Sequence, residues 1–182
     1  VNKNYEVDVT FASNIDKNVV SYEFVILHQL PSVTAPSAAL LKQLNDRKIP
    51  RLFVIGSQSN INEVSRAQPF VSITGSIAKT NEVQGIVDNN FNLFTLGDDL
   101  KRETAKFPPL VAPFGDFKSS ANANILLYQK IGTVDTKYPL LTFGEQNGIK
   151  VGVLSAEGIW KWRLFNFLQH KNYDTFDELM GK

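Results

Sequence analysis

Three residues of this chain carry the side chains that hydrolytic chemistry needs, and each stands close to an apolar run. Ser57 follows Gly56 directly after "RLFVI", as a nucleophile on a strand-to-helix turn would. His28 closes "YEFVIL", at the carboxyl end of an expected strand, where open α/β sheets bind their ligands. Glu157 stands in "VGVLSAEGIWKWRLF", between a third apolar run and a helical pattern. Together they suggest a serine-type hydrolase or amidase: Ser57 attacks a carbonyl, His28 takes its proton, and Glu157 orients the base or acts as acid. Each residue also has a plainer explanation. The full Gly-x-Ser-x-Gly pattern is absent, so Ser57 is equally well a turn residue or a cap of the next helix. His28 can bond to loop backbone. A serine needs its base within hydrogen-bond reach, and no spacing in the sequence brings the three together.

Four further residues are candidates for binding rather than catalysis: Gln29 and Gln58, in the same two strand-end segments, and Trp162 and Arg163 beyond Glu157. Projected at about 100° per residue, Trp160, Leu164, Phe167 and Leu168 share one stripe of the last long helix, which is expected to face the core. Arg163, Asn166, Gln169 and His170 form the opposite polar face, with Trp162 and Ile159 on or beside it, so Trp162 either packs against another segment or forms a binding surface with Arg163. Glu157, in the first turn, faces the positive helix end and can pair with Lys161 or Arg163, while His170 suits the negative end. In "FPPLVAP", residues Phe107, Leu110 and Val111, with Phe114 just beyond, are expected to clamp a loop onto the sheet edge.

Composition removes whole classes of function. With no cysteine among 182 residues, a disulfide framework, a thiolate metal site and a cysteine nucleophile are excluded. The two histidines lie far apart in sequence, so no metal is expected. No glycine-rich phosphate loop follows any expected strand, and no cofactor is expected. Nineteen basic against 18 acidic residues leave a net charge of +1, too little to imply nucleic acid. No apolar run approaches the roughly 18 residues of a membrane-spanning helix.

The elements that must position these residues follow from periodicity. "YEVDVTF" alternates (Tyr5, Val7, Val9, Phe11) and predicts a strand with one buried face; "YEFVILH" predicts a strand buried on both faces, in the sheet centre. A helix follows with Leu40, Leu41 and Leu44 behind Pro36 and Ser37. Next come the strand "RLFVIGS" and the short helix "NINEVSRAQ". Strand, helix and strand with short connections predict a parallel, doubly wound sheet. "PFVSITG", "EVQGIV" and "FNLFTL" predict three short strands, and the proline-containing stretch 98–120 wraps the sheet edge. "ANILLYQKIG", "YPLLTFGEQNG" and "KVGVLSA" predict three more strands, antiparallel near one edge, with "EQNG" as a hairpin turn. Helices close the chain from Gly158 to about His170 and from Thr175 to Met180. One α/β domain with a three-layer architecture is expected.

At "FVILHQLPS", "KIPRLFVIGSQSNI", "FPPLVAPFG", "LLYQKIGTV" and "AEGIWKWRLF" the chain resembles a family of bacterial cell-envelope proteins whose domain has the class I glutamine amidotransferase-like, flavodoxin-like fold. The last motif, close to Gly-Glu-Gly-x-Trp-Arg-Trp-Arg in the family, is the most specific; Ala156 stands for its first Gly and Lys161 for its first Arg. The resemblance covers most of the chain. It implies a fragment of a longer, membrane-associated or periplasmic protein, with a first strand and helix upstream of Val1. An active amidotransferase of this superfamily requires a cysteine, so the resemblance implies a non-catalytic module with an unidentified protein or small-molecule partner. A serine hydrolase through Ser57 and His28, and a purely structural domain, are the other expectations.

Overall fold

The computed structural model describes residues 5–14, 19–35 and 37–182. Its parallel half grows from one repeated unit. β1 (Val25–His28) leads through α1 (Ala38–Asp46) into β2 (Arg51–Val54), and the two strands lie parallel, Val25 beside Arg51 and His28 beside Val54. α1 turns Leu40 and Leu44, one turn apart, toward the core. Ser37 occupies its N-cap position without a side-chain cap bond, and Pro36 lies outside the described residues. α2 (Ile61–Ala67) follows β2 and is capped by Asn60, whose side chain accepts from the Glu63 N–H at 3.2 Å while its own amide donates to the Glu63 carboxylate. The backbone N–H of Asn60, which a capping box would direct to Glu63, donates instead to the Pro31 carbonyl at 2.8 Å. Asn60, and not Ser57, therefore caps this helix.

The antiparallel half comprises β3 (Val71–Val87), β4 (Leu110–Ser119), β5 (Asn124–Ile131) and β6 (Val134–Gln146); β7 (Ile149–Leu154) returns to the parallel strands. α3 (Asp98–Thr104) joins β3 to β4, and α4 (Trp160–His170) and α5 (Asp174–Met180) end the chain. The result is an α/β fold whose seven-stranded mixed sheet runs β1-β2-β7-β6-β5-β3-β4. The β6–β7 hairpin turns at Asn147 and Gly148, with φ of 55° and 75°. A mirror-image turn demands positive φ at both central residues, which Asn-Gly supplies at least cost. One side of β7 thus pairs antiparallel with β6 and the other parallel with β2.

Several local expectations are corrected. "PFVSITG" and "EVQGIV" form one 17-residue strand, β3, because its first part pairs with β4 and its last part with both β4 and β5. "FNLFTL" forms no strand; Phe91 and Phe94 stack edge-on, centroids 4.8 Å apart, and Phe94 meets Phe143 at 5.6 Å. The stretch that was to wrap the edge supplies α3 and then β4, which is itself an edge strand. β1 is the opposite edge, not the centre: Leu27 is buried, but Ile26 is half exposed. Tyr5–Phe11 is not a strand, and its four alternating apolar residues are all exposed. Alternation fixes which side chains share a face; it forms a strand only when a neighbour takes up the backbone hydrogen bonds.

α4 is rotated relative to expectation. Trp162 and Asn166 are its buried residues, whereas Trp160, Leu164, Phe167 and Leu168 are exposed. The buried Asn166 side-chain oxygen accepts the Phe176 N–H at 3.1 Å, tying α4 to the first turn of α5, while its amide nitrogen has no partner among the described residues.

Candidate functional site

The carboxyl ends of β1, β2 and β7 meet in a polar knot. Gln29, just past β1, adopts a left-handed backbone with φ of 59°, while its N–H still donates to the Val54 carbonyl at 2.8 Å. Its side chain then spans two other segments. Its Nε2 donates to Glu157 Oε2 at 2.6 Å, and its Oε1 accepts the Gln58 N–H at 2.7 Å. Gly56 lies between them, and a Cβ there would press into the Glu157 carboxylate and lie 2.8 Å from the Gln29 side-chain carbon, so a side chain would displace the knot. The turn is closed by Ser59, whose Oγ accepts the Gly56 N–H at 3.1 Å and whose own N–H donates to the Gly56 carbonyl at 3.1 Å. A carboxylate that takes a short hydrogen bond from a neutral carboxamide is held in place without a cation.

The next residues lock the corner to the chain that enters β4. The Glu157 N–H and C=O exchange hydrogen bonds with Val111 at 2.9 and 3.0 Å. Gly158 turns with φ of 98°, a conformation that favours glycine. Trp162 is fully buried, stacked on Phe107 with centroids 4.9 Å apart, and its indole N–H donates to the Pro108 carbonyl at 2.8 Å. Lys161 Nζ approaches the Pro109 carbonyl at 3.4 Å. The segments "FPPLVAPFG" and "AEGIWKWRLF" are thus packed on each other. Phe107 and Leu110 make the clamp; Phe114 is exposed and does not.

Among the candidates, the fold joins Gln29, Gln58 and Glu157 and leaves the others apart. Ser57 lies exposed in the turn after β2, and His28 lies exposed on the edge strand. Among the described residues, no hydrogen bond links Ser57, His28 and Glu157 to one another. No ion pair forms between Glu157 and Lys161 or Arg163; the carboxylate's partner is Gln29. Trp162, buried, offers no binding surface. Arg163 instead places its guanidinium 3.6 Å from the Tyr173 ring, which stacks on Phe167.

His170 does more than complement a helix end. Its Nε2 lies 3.1 Å from Oε2 of Glu103, a carboxylate on α3 that is buried apart from this contact and a 2.8 Å bond from Lys106. The Lys106 hydrogen bond, helped by His170, holds the Glu103 carboxyl below the ordinary carboxylate range against the opposing effect of burial. This cluster braces α3 against α4. No spacing in the sequence relates positions 67 residues apart. A cleft of about 400 Å³ opens between Val33, the Ser59–Asn60 entry and first residues of α2, and Ile73–Ile77 of β3; Gln29, Gln58 and Glu157 do not line it. No group of three metal-ligating side chains occurs among the described residues.

No protein-family model matches the chain, and no curated protein matches it. Among solved structures, it is similar to a cytoplasmic protein of Salmonella typhimurium LT2, with a TM-score of 0.54 and 14% identity over 86% of this chain and 69% of that one. A second cytoplasmic protein of Salmonella typhimurium aligns with a TM-score of 0.49 and 12% identity, over 90% of this chain and 72% of that one. At such identity the first likeness is one of fold: the chain is an α/β protein built on a seven-stranded mixed sheet.

Proposed function

We propose that this chain is a non-catalytic module of the class I glutamine amidotransferase-like, flavodoxin-like type, serving within a larger bacterial envelope protein to bind a partner. A glutaminase of that superfamily attacks through cysteine, and this sequence contains none. At the strand ends, where an enzyme of this architecture would hold its reacting groups, the carboxylate is engaged by a neutral carboxamide. The observation that carries the binding reading is the outward stripe of α4. Trp160, Leu164 and Leu168 are 64%, 48% and 56% exposed, with Phe167 beside them, although the opposite side of the same helix is already buried. A helix needs only one apolar face to join its core. A second one, headed by a tryptophan beside Lys161 and Arg163, has the composition of an interface anchor.

The test places a photo-crosslinking residue at Leu168 in cells that express the parent protein. A discrete adduct is expected, and Trp160→Ala should reduce it by roughly ten-fold or more, the size of a hot-spot loss. Its thermal melt should be unchanged. No adduct above that of a crosslinker on a polar surface would remove the binding reading. Labelling by a serine-directed fluorophosphonate that vanished in Ser57→Ala would instead establish the hydrolase.

A further inference from the structure

The open edge of β1 provides a surface that the α4 reading does not involve. In a strand, one residue's N–H and C=O point to the same side, and consecutive residues alternate. Val25 N–H donates to the Pro50 carbonyl at 3.1 Å and Gln29 N–H to the Val54 carbonyl at 2.8 Å, so the odd-numbered residues face β2. The backbone groups of Ile26 and His28 therefore point away from the sheet, and among the described residues nothing pairs with them. Edge strands are normally blunted by lysine, proline or a bulge. "VILH" has none of these, its shortness at four residues being the one blunting feature of this edge, and it pairs with β2 in unbroken register. Phe24 and Ile26, on the uncovered face, are each 51% exposed.

We infer that β1 is a self-complementary edge, which pairs antiparallel with β1 of a second copy about a two-fold axis through Leu27. That register sets Ile26 opposite His28 of the second copy and His28 opposite its Ile26. Both are hydrogen-bonded pairs, so all four outward N–H groups and all four outward carbonyls of the two copies are satisfied. No charged side chain faces a like charge, and the Ile26 side chain of each copy lies beside His28 of the other on one face of the joined sheet. The patch extends beyond β1. The Tyr22 hydroxyl donates to Asp8 at 2.6 Å, tying to the approach to β1 a segment in which Val7, Val9 and Phe11 are 61%, 85% and 77% exposed. A symmetric pair of such edges gives an isologous contact, which closes at two copies.

The experiment uses sedimentation equilibrium together with spin labels, for which a chain without native cysteine is well suited. Wild type is expected to dimerise reversibly. Ile26→Pro deletes one outward donor without removing any bond to β2, and should weaken the dimer by at least ten-fold, as should Ile26→Lys, which keeps the backbone intact. Labels at Phe24→Cys report the register: six residues of rise at about 3.4 Å and one strand spacing of about 4.8 Å put the two Cα atoms about 21 Å apart. A monomer at all concentrations overturns the inference. So does a dimer that survives both substitutions, or one whose labels lie at another distance, as pairing through α4 would give. Circular dichroism of both variants separates loss of pairing from loss of fold; if the proline variant fails to fold, the lysine variant decides.

Discussion

The corner at Glu157 and the outward face of α4 are a few residues apart in the chain and opposite in character. At the corner, the Glu157 carboxylate, both Glu157 backbone groups and the Trp162 indole N–H each have a partner at 3.0 Å or less. On the outward face, Trp160, Leu164 and Leu168 keep 64%, 48% and 56% of their surface exposed. The difference separates side chains whose work is finished once the chain has folded from side chains that folding leaves unused. On that criterion, the most motif-like residues, Trp162 and Glu157, belong to stability. The residues that read as plain core, Trp160 and Leu164, are the ones available to a partner.

The two tryptophans give the sharpest way to break this comparison. Trp162→Ala opens a cavity beside Phe107 and leaves the Pro108 carbonyl without its donor, so urea denaturation should show a loss of about 3–5 kcal/mol. Trp160→Ala should stay within about 0.5 kcal/mol. Equal losses would mean that both faces of α4 serve the core. Next in size is Gly56→Ala, expected to cost about 1–3 kcal/mol because the new methyl displaces the Glu157 carboxylate and the Gln29 side chain. Combined with Glu157→Ala the cost should shrink, and strict additivity in the double-mutant cycle would show that the knot is not what Gly56 accommodates. Asn60→Ala should remove about 1 kcal/mol through the lost cap, with Ser57→Ala close to neutral; the reverse order would return the cap to Ser57.

The smallest effect concerns Glu103 and is confined to acid. Its carboxyl is held lower in the folded chain than in the unfolded one, so the unfolded state binds the proton first. The stabilisation is fully present above the unfolded carboxyl value of about 4.3 and is lost as pH falls below it. Glu103→Gln should therefore flatten the fall in melting temperature below about pH 4.3. An unchanged slope would show that Lys106 and His170 do not hold this carboxylate in solution.

Much of the framework was legible in the residues themselves. The Asn-Gly turn identified the β6–β7 hairpin, because few other pairs tolerate two positive φ values. Leu40 and Leu44 identified the buried face of α1, because only one of its stripes is apolar. α4 was not legible in this way, since apolar residues lie on both of its sides. Which side was buried depended on Phe107 and the Pro108 carbonyl, more than fifty residues earlier. Gln29 and Gln58 stand out in the sequence only by their place after apolar runs. Their link to Glu157 depends on a left-handed backbone at Gln29 and on the absence of a Cβ at Gly56, and only the folded arrangement puts these side by side.

Composition, turn chemistry and local period thus determined by themselves that this is an α/β chain without thiol chemistry, with a parallel unit early and an antiparallel hairpin late. Periodicity is a property of neighbours in sequence, and it constrains only which side chains share a face. Which strand lies at the edge, which face of α4 is covered and whether Ser57, His28 and Glu157 share bonds were decided by contacts between distant segments. Those contacts depend on how the layers close over one another, and no stretch of local sequence contains that information.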